Sequence, residues 1–330
     1  MSVKSSVFSD YITENETSQE RIEKTINELE KKKAEHSKVI GTIITALKNT
    51  EHCSNNIIER MLDCGSFISI DKSTGRINGA NFCKNKLCPI CQWRKSLKVY
   101  GEIVQIQKVV EEKTKKFVFM TLTLENTKDL EDGINQILKG FYNFSNDRTF
   151  KKMSMGYIRT LEITYNHRKR TWHPHLHLII ATKKTYFEKD YQTQEQWANI
   201  WERCANVEYK PIIDIRMIKE ENGEYSKAIA EVSKYAIKPF QTKEEKNQEN
   251  TYNAIFKATH HRRLRSYGGE YSKAKKLLNF YDGETKEDKT KETDKTYRYN
   301  KGSYTEVMHE GGKWETVNNQ ESVNQNRRNL

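Results

Sequence analysis

Apolar residues recur at helical spacing from Ser18 to Leu47, where Ile22, Ile26, Leu29, Ile40, Ile43 and Leu47 stand among charges. That period predicts a long amphipathic helix, with Gly41 as a place for a break or bend. Helical spacing returns from Lys95 to Glu112, where Leu97, Ile103, Val104, Ile106 and Val110 offer a packing stripe. The period then changes to two. Phe117 to Leu124, Tyr157 to Tyr165 and His175 to Ile180 are rich in β-branched and aromatic residues and partly alternate, which predicts three strands. Residues 130–152 and 188–206 read as helices, Pro211 to Met217 as a short strand and 224–238 as a helix. Such a mixture predicts an α+β fold, an antiparallel β-sheet with helices on one face.

The flanks carry weaker patterns. Residues 1–17 are polar, and 50–92 are broken by turn signals such as Asp71-Lys72-Ser73-Thr74-Gly75. Beyond about residue 240 the chain turns polar. The segment 283–301 is dominated by Thr, Lys, Glu and Asp and reads as disordered, and Val317 to Leu330 is an Asn- and Gln-rich tail. The expected organisation is a helical and polar extension over 1–50, a cysteine-rich segment over 51–95 and an α+β core over 96–245. A basic, polar and partly disordered region would follow over 246–330.

Charge narrows the partners. The 330 residues hold 57 Lys+Arg against 45 Asp+Glu, a net charge of +12. That excess favours a polyanion, usually nucleic acid; a lysine-rich soluble surface is the plainer explanation. No apolar run reaches the roughly 18 residues of a membrane span, and Met1-Ser2-Val3-Lys4-Ser5-Ser6 lacks an apolar signal core. A cytoplasmic chain is the expectation, and there clustered cysteines are more often metal ligands than disulfides.

Five of the 6 cysteines fall within 50–92. Cys64, Cys83, Cys88 and Cys91 follow the spacing C-x18-C-x4-C-x2-C. The Cys88-Pro89-Ile90-Cys91 knuckle lets two thiolates meet one ion with little strain, and structural Zn²⁺ takes four such ligands. Cys53 rivals Cys64 for the first position, and His52 could replace either. Cys204 stands apart as a bystander. Arg94 and Lys95 follow the knuckle and suit DNA contact, although solvated side chains explain them almost as well.

The chemistry is concentrated further on. His175-Leu176-His177 opens a β-type run, and alternate strand residues share a face roughly 7 Å apart. Two imidazoles so placed can grip one divalent ion. On the second strand Thr160, Glu162 and Thr164 share a face. If these strands pair, Glu162 completes a mixed ligand set suited to Mn²⁺ or Mg²⁺ with open positions. His173 is a weaker candidate, because Pro174 interrupts the run. On the predicted helix Glu231 and Tyr235 lie four apart on one face, with Lys227 one turn back and Lys234 and Lys238 flanking. A tyrosine beside a metal-bound phosphate and lysines can attack phosphorus, and a neighbouring carboxylate can activate water. Tyr225 is the alternative nucleophile.

The order of these motifs resembles the histidine–hydrophobic–histidine (HUH) endonucleases. Within them it is similar to the single-tyrosine rolling-circle replication initiators of small Gram-positive plasmids. The stretch Phe82-Cys83-Lys84-Asn85-Lys86-Leu87-Cys88-Pro89-Ile90-Cys91-Gln92-Trp93-Arg94-Lys95-Ser96 is similar to that branch's cysteine-rich segment, and the likeness spans roughly 60–240. The resemblance implies an origin-specific nicking–joining enzyme, with Tyr235 as nucleophile, His175 and His177 as metal ligands and Glu231 as the hydrolytic residue. It also implies a plasmid origin in single-stranded or hairpin form as substrate, and a host helicase and DNA polymerase as partners. A conjugative relaxase or a single-tyrosine transposase shares the chemistry. A zinc-bearing DNA-binding regulator without catalysis is the reading from another class.

Overall fold

The computed structural model describes residues 16–48, 50, 54–219, 224–234, 245–279, 294–310 and 313–317. Their contacts form two units, one drawn from 42–50 and 92–279, the other from 16–41, 54–91 and 294–317. Two long helices, α1 (Ser18–Lys48) and α3 (Pro89–Glu111), contribute residues to both. Gly41 does not interrupt α1.

The larger unit is built on the period-two runs. Strands β3 (Phe117–Thr123), β4 (Ser154–Asn166), β5 (Thr171–Thr182), β6 (Ile213–Ile218) and β7 (Arg265–Gly268) make one antiparallel sheet in the order β6-β3-β5-β4-β7. β5 therefore has neighbours on both sides. Helices α4 (Leu130–Asn146), α5 (Arg148–Met153), α6 (Gln194–Ala205), α7 (Glu224–Ser233), α8 (Glu245–Thr259) and α9 (Gly269–Leu277) complete the unit.

Helices cover both faces of this sheet, not one as the alternation implied. On one face Phe117, Phe119, Ile158, Ile179 and Ala181 pack with Ile103, Ile106 and Val110 of α3, Ile229 and Val232 of α7 and Tyr271 of α9. On the other, Phe141 of α4 meets Tyr157 edge-on at 5.2 Å and underlies the Arg159 guanidinium at 5.4 Å. β5 explains the difference: Pro174 through Thr182 are buried without a break, as in a strand covered on both sides.

The first face changes character along its length. Its apolar half ends at Phe119, Ile158 and Ile179; beyond it come Thr121, Thr123, Thr160, Glu162, His175 and His177, all paired across neighbouring strands. Pro174 does not break β5. Trp172 exchanges both backbone hydrogen bonds with Thr127, at 2.7 and 2.9 Å. Pro174, two residues on, points to the same side, where β3 has already ended opposite His175. Its missing N–H therefore removes no ladder bond.

The smaller unit carries a second sheet. β1 (Phe67–Asp71), β2 (Ile77–Ala80), β8 (Asp294–Asn300), β9 (Ser303–Glu310) and β10 (Lys313–Thr316) run antiparallel in the order β10-β9-β8-β1-β2, accompanied by α2 (Asn55–Leu62). The chain therefore does not divide at 50, 95 and 245 as expected. The first sheet takes β7 from beyond 245, and the cysteine-rich segment pairs with a strand more than two hundred residues downstream. Disorder was expected through 301, but Thr296 and Tyr297 are buried in β8. These two consecutive buried residues sit inside a low-complexity composition and are too short a pattern to stand out. No helix among the described residues is long and apolar enough to cross a membrane.

Candidate metal centres

The β4–β5 register sets Glu162 directly opposite His175 and Thr160 opposite His177. Glu162 Oε2 lies 3.0 Å from His175 Nε2 and 2.8 Å from His177 Nε2. All three residues are at least nine-tenths buried. Each ring is held by its other nitrogen. His175 Nδ1 is 3.2 Å from the His173 carbonyl oxygen, and His177 Nδ1 is 3.2 Å from Thr121 Oγ1 on β3. A carbonyl only accepts, so His175 carries its proton on Nδ1 and turns the Nε2 lone pair toward the carboxylate. Two lone pairs facing one another at hydrogen-bond distance call for a cation between them. A proton can serve, and so can a divalent ion, whose cis ligands at about 2.1 Å stand about 3 Å apart. The donor set fits such an ion, and one imidazole nitrogen fixed by a carbonyl is the usual outer support of a metal-binding histidine.

Helix α7 closes one side. Thr160 Oγ1 donates to the Val232 carbonyl at 2.7 Å, and Arg265 of β7 reaches the same carbonyl at 3.0 Å and Thr160 Oγ1 at 3.1 Å. These bonds satisfy a carbonyl near the helix C-terminus, where no intrahelical donor remains, and tie that end to the sheet. Glu231 Oε1 consequently stands 3.8 Å from His177 Nε2, while its Oε2 pairs with Lys234. α7 ends at Ser233. Tyr235 and Lys238 lie outside the described residues, as do His52 and Cys53. Lys227 is exposed and Lys234 half-buried, while after the knuckle Arg94 is half-buried and Lys95 exposed.

The second centre belongs to the smaller unit. The sulfur of Cys64 lies 3.6 Å from that of Cys88 and 3.5 Å from that of Cys91, and Cys83 lies 3.5 Å from Cys91. Tetrahedral Zn²⁺ with bonds of about 2.3 Å sets its sulfurs nearly 4 Å apart, so the four thiols match that cage in kind and spacing. Hydrogen bonds from Cys64, Cys88 and Cys91 pull the Cys83 thiol far below its ordinary value. Hydrogen bonds to Cys64 and Cys83 push Cys88 far up, so without a cation the four cannot all ionise. Backbone N–H groups of Cys83 and Lys84 point at Cys64 and Cys91 sulfurs, at 3.4 and 3.2 Å. From α1, buried Lys33 donates to the Cys64 carbonyl at 2.6 Å and buried His36 lies 2.9 Å from the Met61 carbonyl. Burial pushes the Lys33 ammonium down, and the nearby Cys64 sulfur opposes that.

The sequence places the candidate ligands but not their supports. Thr121 was legible, since it shares alternation with Thr123 in a strand otherwise apolar. Arg265, Lys33 and His36 come from distant segments and gave no local signal.

Residues 74–321 match the model of a family described as Replication protein. Over 234 residues the chain is 36% identical to "Protein rep" of Streptococcus pneumoniae serotype 2 (strain D39), covering 67% of this chain and 72% of that protein. It is 34% identical over 251 residues to "Protein rep" of Bacillus amyloliquefaciens, covering 68% and 74%. It is 31% identical over 196 residues to "Protein rep" of Staphylococcus aureus, covering 57% and 84%. No solved structure matches the chain.

Two measurements check the centres. Glu162→Gln should weaken Mn²⁺ binding at least about tenfold in calorimetry; wild-type affinity would remove Glu162 from the set. Cys88→Ser should abolish bound zinc in native mass spectrometry and lower the melting temperature of the full chain. Unchanged metal content would contradict the cage.

Proposed function

The chain belongs to the replication-protein family, and on that premise we propose that it is a plasmid replication initiator that nicks one strand of its origin by tyrosine attack. The observation that carries this reading is the convergence of Glu162, His175 and His177, with Glu231 beside them. Glu162, His175 and His177 hold Mn²⁺ or Mg²⁺, which when bound polarises the scissile phosphate and offsets the charge that develops on it.

Tyr235 is the nucleophile. Its oxygen bonds to phosphorus, the bond from phosphorus to the 3′ oxygen breaks, and that oxygen leaves as the 3′-hydroxyl that primes synthesis. The displaced strand end stays on the enzyme as a 5′-phosphotyrosyl linkage. Tyrosine ionises near pH 10 in water, so lysines nearby favour the phenolate form; Lys234 and Lys238 flank it in sequence. Glu231 then acts as general base on water, which makes the terminal cleavage hydrolytic. Its position at the end of α7, close to His177, supports that role. Rejoining of the strand uses the same linkage in reverse.

Arg94, Lys95, Lys227, Lys234 and Lys238 contact phosphates, and structural Zn²⁺ on Cys64, Cys83, Cys88 and Cys91 holds the cysteine-rich segment together. The substrate is the origin as a hairpin or extruded single strand, met in the cytoplasm, where a host helicase and DNA polymerase extend the primer.

Tyr235→Phe should lose the protein–DNA adduct that survives denaturing electrophoresis with a labelled single-stranded origin oligonucleotide and Mn²⁺, while keeping DNA affinity. An adduct of wild-type yield in that variant would move the nucleophile to Tyr225 or elsewhere. Glu231→Ala should form the adduct and fail to release the displaced strand by hydrolysis; normal release would remove it as the base.

A further inference from the structure

At the turn end of the β4–β5 hairpin lies an open groove whose lining includes Asn126, Tyr165, Asn166, His167, Arg168 and His173. It begins where the Glu162, His175 and His177 set ends. His173 shares their sheet face, and its ring centroid is 5.2 Å from that of His175. Two strand residues span roughly 7 Å, so a chain bound at the metal set reaches the groove with its next unit.

The walls are held in place. Asn166 Oδ1 accepts the backbone N–H groups of Arg168 and Lys169, both at 3.1 Å, which folds the turn. Asn126 Nδ2 donates to Thr171 Oγ1 at 3.1 Å, and the next residue, Thr127, is bridged to Trp172. Tyr165 packs on Trp172 with centroids 4.4 Å apart, and His167 stands edge-on to Tyr165 at 5.0 Å. Arg168, Lys169 and Arg170 are exposed in succession. Arg168 makes no ion pair within the described residues. A held groove with a bare guanidinium, amides and aromatic rings matches one unpaired nucleotide. The cation meets phosphate, the rings meet the base face, and the amides meet an edge that pairing would hide.

We propose that this groove binds the nucleotide next to the cleaved phosphodiester, with Arg168 on its phosphate and Asn126 and His167 against its base, so that it sets base preference at one position beside the cut. The assignment rests on the nicking function proposed above and adds the residues that choose where the nick falls.

The test uses the full chain, Mn²⁺ and random-sequence single-stranded DNA. DNA captured covalently on protein is sequenced to give base preference around the cut, and a selected oligonucleotide then gives KM, kcat and salt dependence. Asn126→Ala should reduce preference at one flanking position by about fivefold and leave other positions alone. Arg168→Ala should raise KM about five- to tenfold with kcat nearly unchanged, and flatten the salt dependence by about one phosphate contact. Arg168→Lys should recover part of that loss, which a misfolded turn would not. Wild-type preference, KM and salt slope in both Ala variants would overturn the groove assignment while leaving the nicking function standing. No covalent capture by the wild-type chain would overturn both.

Discussion

The pairing of β4 with β5 is the constraint on which the candidate site depends. Side chains alternate with period two, so a slip of one residue would carry Glu162 to the opposite face, away from both histidines. Several features resist such a slip. Leu161 faces Leu176 and Ile163 faces Pro174 on the side covered by α4, where a polar residue would be buried without a partner. The turn is closed by Asn166, whose side chain takes the two backbone donors that follow. The other face must place Phe119, Ile158 and Ile179 beneath α3. The hydrophobic effect on both faces thus holds three polar groups together that would otherwise repel water loss and one another.

Their convergence is costly unless a cation is shared. Glu162 is nine-tenths buried or more and has both Nε2 atoms within 3.0 Å of one oxygen. Removing a carboxylate from water is tolerated only with paired charge. The supports of the two rings come from the backbone and from a short side chain with few rotamers: the His173 carbonyl and Thr121. Such groups fix ring orientation with little loss of conformational entropy. The Val232 carbonyl is the corresponding anchor for α7, and it brings Glu231 to the edge of the set without placing it among the ligands.

The cysteine unit solves a different problem. Its sheet is drawn from both ends of the chain, and local pairing alone leaves β1 and β2 as a two-stranded hairpin, which is marginal in water. β8 adds a third strand against β1, and Tyr304 of β9 donates to the Gly65 carbonyl beside the first cysteine. Lys33 and His36 of α1 take neighbouring carbonyls. The segment around Cys64 is therefore held by hydrogen bonds from segments far away in sequence.

Much of this protein was legible in its residues. Period-two runs marked β3, β4 and β5, the 3.6-residue period marked α1 and α3, and the spacing of Cys83, Cys88 and Cys91 marked a cluster of thiols that could hold a metal. Alternation alone put His175 and His177 on one face and Glu162 within reach, because side-chain direction in a strand is a local property. The tertiary structure decided what local chemistry cannot. It covered the sheet on both faces, recruited Arg265 and the strands beyond residue 290, and set Lys33 behind the cysteines. Those choices depend on contacts between segments up to hundreds of residues apart, whose stability comes from shared burial and leaves no period in either segment. The candidate ligand types were thus written in the sequence, while their supports and the borders of the two units were decided only when distant surfaces met.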